Sequence, residues 1–249
     1  THERIPVKTP NMNAYIEASP KGRGWIMRDL EPLLEHYNEH PVVRALVQLI
    51  PFGVGGALDV VLTQTLNRMR RERATTFLDE LSRGGVTLDE VLLESEDFVH
   101  AFIVTTRLAL NTRRREKIAL FARLFKNAFG RFGPPNPDDY EDLVMILDDL
   151  SYKEIVALTI MDECHERSRK DGLNDLQQAN AFWDQFEEHL SRELGIPNVE
   201  VASFMSRIAR SGCYELITGS YFGYGGGRGK LTPTFYRLKR YIVEQSGSG

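Results

Sequence analysis

The densest run of side chains that could do chemistry is Asp162-Glu163-Cys164-His165-Glu166. It holds carboxylates, a thiol and an imidazole, which serve proteins as metal ligands and as acid, base or nucleophile. The run falls inside a predicted helix, where only residues three or four positions apart share a face. Asp162 and Glu166 share a face, but no histidine joins them at that spacing. We therefore expect no metal site here and no cofactor.

The other groups that could serve a reaction are scattered. His100 lies in an apolar helix, which favours a hydrogen-bonded core histidine over a catalytic base. The glycines of residues 219–229 lack the strand-to-helix context and the Lys-Ser/Thr pair of a phosphate-binding loop. Cys164 and Cys213 have no metal-ligand spacing and fit a reducing cytoplasm. We therefore predict a non-enzymatic protein without a small-molecule substrate.

Composition limits the function further. A chain of 249 residues with 42% hydrophobic and 27% charged residues is ordinary for a globular protein with one large or two modest domains. The net charge of -4 gives no overall basic footprint, so any contact with nucleic acid must be local. We expect no signal peptide and a cytoplasmic location.

The elements that must position any site are clearest in residues 185–242. A helix with apolar residues at helical spacing ends at Gly195, because glycine tolerates a positive φ. A second helix opens at Pro197, with Asn198 as its predicted N-cap. Its apolar face consists of Val201, Phe204, Met205 and Ile208. This order of helix, glycine turn and helix is typical of a helix-turn-helix unit.

A small hairpin and a closing helix follow this unit. Residues 213–217 suit a short strand, and the glycine-rich loop 219–229 leads into Lys230 and Leu231. Thr232 caps the last helix, with a proline in its first turn. The order resembles the winged-helix domains of many bacterial regulators, over about a quarter of the chain. That resemblance implies a second helix able to enter a major groove, with the hairpin as its wing.

The polar residues of this unit leave two functions open. Contacts to nucleic acid or to a protein partner would come from Asn198, Ser203, Arg207, Arg210, Arg228, Lys230 and Arg237. DNA binding is disfavoured by Glu200 near the helix start and by the acidic residues of the preceding helix, because they would repel phosphate. A module for protein contacts and a DNA-binding regulator are therefore both predicted.

The first half of the chain contains an arm and an apolar stretch. Residues 1–24 are polar and rich in proline, which predicts an extended arm before a helical domain of residues 25–130. Residues 42–62 carry only Arg44 and Asp59 as charges. Proline and glycine break this stretch into pieces too short for the roughly 20 residues of a membrane-spanning helix. A buried helical hairpin is favoured, and the alternative is a membrane-active hairpin that inserts Leu49, Ile50, Phe52 and Val54.

Residues 107–131 are the most basic quarter of the chain. Their cations are Arg107, Arg113, Arg114, Arg115, Lys117, Arg123, Lys126 and Arg131. They could bind nucleic acid or anionic lipid, with Arg113, Arg114 and Arg115 as the leading contact residues. The alternative is that they pair with acidic helices of the same chain. The separate run from Arg68 to Arg73 is interpreted as a solvated helix face.

The predicted fold is mainly α. An N-terminal helical bundle is followed by a helical segment and a C-terminal winged helix-turn-helix with a small β-hairpin. A linker at residues 131–137 separates the helical domain from a second domain of residues 138–247. Ser151 and Glu154 form a predicted capping box at the start of one helix of the second domain.

Two short segments carry a resemblance for the whole chain. They are Leu49-Ile-Pro-Phe-Gly-Val-Gly-Gly-Ala-Leu-Asp59 and Leu231-Thr-Pro-Thr-Phe235. With a helical body between them, the layout is similar to that of bacterial accessory proteins of phage defence, the abortive-infection alpha group. The resemblance implies an intracellular effector or adaptor that acts on a partner or on a membrane. We expect that partner to be another protein or a second copy of this chain.

Overall fold

A computed structural model describes residues 35–37, 39–47, 49–50, 60–83, 90–133, 135–218 and 227–243. Several predictions fall at least partly outside these residues. The arm 1–24, the middle of the predicted apolar hairpin with Phe52 and Val54, and most of the glycine-rich loop lie outside them, and the predicted domains 25–130 and 138–247 and the linker 131–137 are described in part.

The described residues form nine α-helices and one antiparallel hairpin. The helices are α1 (Pro41–Val47), α2 (Val60–Ser82), α3 (Glu96–Asn111), α4 (Arg115–Lys126), α5 (Pro137–Asp149), α6 (Tyr152–Ser168), α7 (Asp175–Leu194), α8 (Asn198–Ile208) and α9 (Pro233–Ile242). Strands β1 (Tyr214–Leu216) and β2 (Gly229–Leu231) pair with Tyr214 opposite Leu231. A π-helical turn, Asn127–Arg131, extends α4. The prediction of a mainly α protein with a small hairpin is confirmed.

Side chains at helix starts explain several boundaries. The hydroxyl of Ser151 accepts from the Glu154 amide at 3.2 Å, and the Glu154 carboxylate accepts from the Ser151 amide at 2.8 Å. This confirms the predicted capping box. Thr232 caps α9 as predicted. The prediction of Asn198 as N-cap of α8 is wrong, because α8 begins at Asn198 and its N-cap, Pro197, offers no side-chain acceptor.

An aromatic core joins the first helices to α5. Phe98, Phe125 and Phe129 pack with ring centroids about 5 Å apart. Tyr140 of α5 lies 5.4 Å from the Phe129 ring, and its hydroxyl is 2.6 Å from that of Thr105. Aromatic contacts of this kind add to the stability gained by burial alone. The helices on the two sides of the predicted linker therefore share one buried core.

The last helix, α9, packs against the segment between α4 and α5. The Asn127 side chain donates to the Tyr241 carbonyl at 2.6 Å, near the end of α9. The guanidinium of Arg240 lies 4.1 Å from the centre of the Phe132 ring. These contacts hold α9 against the π-helical turn, and they connect the predicted linker to the C-terminus.

The C-terminal unit consists of α7, α8, the hairpin and α9. Gly195 ends α7 with a φ of +61°, as its position in the sequence predicts. Ile196 then turns into the core and is buried. A side chain placed on Gly227, where the loop returns toward β2, would come within 3.2 Å of the Ala202 side chain. The base of the loop therefore lies against α8.

The described beginning of the apolar stretch 42–62 packs inward. Ile50 is buried, and the half-buried Leu49 packs against the same core. Within the described ranges, none of the helices combines the length and the apolar character that crossing a bilayer requires.

Candidate macromolecular contact surfaces

Helix α6 directs the side chains of the run 162–166 to different faces. Asp162 is buried and pairs with Lys239 of α9. Cys164 faces His189 of α7, whereas Glu163 points outward. Among the residues that the structure describes, no three His, Cys, Asp or Glu side chains are grouped so that they could hold a metal ion.

Sequence reasoning missed the pair formed by Cys164 and His189. The Cys164 sulfur lies 3.3 Å from His189 Nδ1, a distance that suits a nucleophile and its base. The thiol, however, is fully buried, and burial raises its pKa. A nucleophilic cysteine needs a thiolate that substrate can reach. This pair therefore stabilises the packing of α6 on α7 and does not provide a nucleophile.

A small cleft lies between α6, α7, β2 and α9. It has a volume of about 240 Å³, and His165, Lys230 and Tyr236 are among its lining residues. Burial, followed by nearby Asp162, raises the pKa of Tyr236 to about 12, so its phenol stays protonated at neutral pH. Tyr236 is therefore not a phenolate base or nucleophile in this cleft.

The interpretation of His100 as a core histidine is wrong. Its side chain is 60% exposed, and Nε2 lies 3.0 Å from the Glu141 carboxylate on the surface of α5. The apolar spacing of α3 places His100 on the outer face of the helix, beside the exposed Ile103. The pair is exposed, so it contributes little to stability.

Basic residues of α4 cap the ends of neighbouring helices. Lys126 is buried, and its ammonium donates to the carbonyls of Glu80 and Arg83 at 3.1 and 2.6 Å, at the end of α2. The ammonium of Lys117 donates to the Asp148 carbonyl, at the end of α5. The last carbonyls of a helix have no partner within it and carry partial negative charge. These cations therefore stabilise the fold and are not available to a partner.

Arg123 and Arg210 neutralise buried carboxylates. Arg123 lies 2.6 Å from Glu80, whose side chain is only 4% exposed. Arg210 contacts Asp149 at 3.0 Å and buried Glu154 at 3.3 Å. Although burial raises the pKa of Glu154, the hydrogen bonds from Ser151 and the charge of Arg210 outweigh it, and the pKa is lowered. Arg210, one of the predicted contact residues, thus joins the end of α8 to the start of α6.

The predicted cations of the hairpin and of α9 also have partners within the chain. Lys230 lies 2.5 Å from Asp175, at the start of α7. Arg228 donates to the side chain of Asn180 on the same helix. Arg237 lies 3.9 Å from Asp139 of α5. These three cations are therefore directed toward α5 and α7.

The outward face of α8 is nearly neutral. Asn198, Ser203 and Arg207 are exposed there. The Ser203 hydroxyl donates to a backbone carbonyl of its own helix, and the Arg207 guanidinium lies 5.3 Å from the Phe204 ring. The most exposed large apolar residue of the described chain, Val199 at 91%, stands on the same face.

Arg113, Arg114 and Arg115 lie at the turn from α3 to α4. All three side chains are exposed, and none forms an ion pair with a residue that the structure describes. Arg115 also lines a cleft of about 470 Å³ beside Thr76 of α2. This turn differs from the rest of α4, where the basic residues are engaged inside the protein.

Comparison of the chain with protein-family models, with curated proteins and with solved structures finds no match.

Proposed function

We propose that the protein is a non-enzymatic adaptor whose C-terminal unit is a winged-helix module that binds another protein through α8. One observation carries the proposal: the outward face of α8 presents Val199, while carboxylates of the same chain hold Arg210, Lys230 and Arg237. A DNA-reading helix needs cations for phosphates and polar groups for base edges.

The surroundings of α8 support a protein partner. The acidic residues Asp184, Glu188 and Glu193 are exposed on the preceding helix, and Glu200 stands in the first turn of α8. They repel phosphate and favour a partner with a basic rim. An apolar centre with a polar rim is the usual anatomy of a protein interface. Val199 is the residue on this face that would be buried in such a centre.

The proposal includes no catalytic step. In the described part of the chain, the thiol of the one close thiol–imidazole pair is buried, and the phenol of Tyr236 stays protonated. The resemblance to abortive-infection accessory proteins suggests phage defence as the setting in which to look for the partner.

Photocrosslinking in cells tests this proposal. A benzophenone amino acid is introduced in place of Val199 and, as a matched control, in place of Val91, which is 69% exposed in the turn Glu90–Glu94. We expect a discrete adduct at position 199 that protease removes and nuclease leaves intact, and we expect the control to lack it. An adduct removed by nuclease would favour the DNA-binding regulator. Equal protein adducts at both positions would contradict a specific interface on α8.

A further inference from the structure

Two arginine-rich segments that are distant in sequence meet in the fold. The Arg73 guanidinium donates to the Leu110 carbonyl at 2.6 Å, across 37 positions of the chain. One turn further along α2, Thr76 lines the same cleft as Arg115. The stretch of α2 that starts at Arg68 therefore lies beside the turn joining α3 to α4, since five residues of helix span only about 7.5 Å.

The charge of this region is strongly positive. Segments Arg68–Arg73 and Arg113–Glu116 together hold seven arginines and two glutamates. Arg68, Arg113, Arg114 and Arg115 are exposed, and none forms an ion pair with a described residue. We call these four residues the arginine surface. It is a local concentration of positive charge on a chain whose net charge is -4.

The chemistry of the surface selects among polyanions. A guanidinium presents a planar fork of donors that matches phosphate oxygens, and all four cations are arginines. Single strands need aromatic side chains on which bases stack. Tyr236, on α9, is the one exposed Phe, Trp or Tyr in the described part of the chain, and the half-buried Tyr152 lines the cleft beside Arg115. With one half-buried ring beside it, the surface is better suited to a phosphate backbone than to a run of unstacked bases.

Apolar residues that would favour a membrane or a protein are few at this surface. Met69, 38% exposed, is the exposed large apolar side chain in the described part of the two segments. Stable attachment to a bilayer needs an apolar anchor in addition to basic charge, and a stable protein interface needs an apolar centre. We propose that the arginine surface binds the phosphate backbone of a nucleic-acid duplex without reading its sequence.

This site goes beyond the proposed adaptor function and uses different helices. The arginine surface is formed by α2 and the turn between α3 and α4, whereas the proposed protein interface lies on α8. An adaptor with both surfaces would bring its protein partner to nucleic acid. Because the two surfaces share no residue, either proposal can fail while the other holds.

Duplex binding by the full chain tests the site. We would measure fluorescence anisotropy with two unrelated 20-base-pair DNA duplexes and one RNA duplex, between 50 and 200 mM salt. The test variant is Arg113→Ala/Arg114→Ala/Arg115→Ala. The control variant, Arg167→Ala/Arg169→Ala/Arg192→Ala, removes the same charge from exposed positions on α6, on the residue after it and on α7. Circular dichroism checks that both variants fold.

We expect equal binding to the two DNA sequences, with affinity falling steeply as salt rises. Each lost phosphate contact lowers the log–log salt slope by about 0.9 on DNA. The test variant should therefore lose about 2 to 3 in slope and about 10- to 100-fold in affinity at 50 mM salt, while the control stays within about twofold. The RNA arm shows which duplex is preferred.

Three results would overturn the proposal. They are no binding of the wild-type chain to any of the three duplexes at 50 mM salt, an equal loss in test and control variants, or sequence-dependent binding that survives in the test variant. Parallel measurements use vesicles of phosphatidylcholine and phosphatidylserine and a polyglutamate peptide. Binding to one of these without duplex binding would assign the surface to a membrane or to an acidic protein instead.

Discussion

The arginine surface and the C-terminal unit are both rich in basic residues, and they differ in how those residues are held. In the C-terminal unit, Lys230 faces Asp175, and Arg210 faces Asp149 and Glu154. At the arginine surface, Arg113 and Arg114 extend into solvent without an ion pair among the described residues. The comparison teaches that the number of basic residues does not locate a polyanion site. What matters is whether the fold already neutralises them.

The same contrast exists within α4. Its first residue, Arg115, is exposed, whereas Lys117 and Lys126 are buried and donate to carbonyls at the ends of α5 and α2. A buried cation is tolerated because helix ends offer it partial negative charge. Basic residues of one helix can therefore stabilise the fold where they are buried and remain available to a partner where they are exposed.

The largest expected effect comes from replacing a buried basic residue of α4, Lys126. Lys126→Met keeps the volume of the side chain but leaves the Glu80 and Arg83 carbonyls without their donor. We expect the free energy of unfolding to fall by about 2–3 kcal/mol, since a buried group that loses its partner costs about 1–3 kcal/mol. Urea denaturation measures it. Arg113→Met is the matched control, expected within about 0.5 kcal/mol of wild type. Equal losses in both variants would contradict the contrast.

Arg210→Ala tests the paired cations of the C-terminal unit. The change leaves buried Glu154 without its cation, and we expect the free energy of unfolding to fall by roughly 1–2 kcal/mol. This is less than the roughly 3–5 kcal/mol for a fully buried pair, because the Arg210 side chain is 45% exposed. Arg207→Ala, on an exposed part of α8, should change the stability by less than about 0.5 kcal/mol. If Arg207→Ala lowers the free energy of unfolding as much as Arg210→Ala does, this would be evidence against Arg210 as the cation that stabilises buried Glu154.

The pH dependence of that loss sharpens the prediction. Folding lowers the pKa of Glu154, so its contribution to stability is present above the ordinary carboxyl pKa of about 4.3. The contribution is lost as the pH falls through the lower pKa of the folded state. The difference between wild type and Arg210→Ala should therefore be full at pH 7 and shrink below about pH 4. Urea denaturation at pH 7, 5 and 3.5 measures it, and a difference independent of pH would rule out Glu154 as the partner.

The smallest expected effect comes from releasing a paired cation. Asp175→Asn removes the carboxylate that holds Lys230, and we expect duplex affinity at 50 mM salt to rise less than about threefold. One freed lysine adds at most about 0.9 to the salt slope. Glu163→Gln, which releases Arg167 on α6, is the control. A tenfold rise specific to Asp175→Asn would show that the hairpin contacts phosphate.

Local signals in the sequence predicted much of the fold. Capping residues such as Ser151 and Thr232, and the left-handed Gly195, mark boundaries through contacts within a few positions. The error at Asn198 is also local, because a proline occupied the N-cap position and shifted the helix start by one residue. His100 was misplaced because an apolar helix still has an outer face.

The partners of the basic residues could not be predicted in the same way. The contact between Arg210 and Glu154 spans 56 positions, and the one between Lys239 and Asp162 spans 77. Such pairs depend on how helices pack, which periodicity does not reveal. The exposed run at Arg113 was predicted as a contact site, but its meeting with the run that starts at Arg68 was missed. It follows from α2 and α4 packing side by side in the same direction, with Arg123 beside Glu80 and Arg115 near Thr76.

The most direct test of the central claim compares two triple variants in the same duplex-binding assay. One is Arg113→Ala/Arg114→Ala/Arg115→Ala, and the other is Arg228→Ala/Lys230→Ala/Arg237→Ala in the C-terminal unit. We predict that the first loses about 2 to 3 in salt slope and that the second stays within about 0.5 of wild type. The reverse pattern would contradict the account and identify the C-terminal unit as a DNA-binding winged helix.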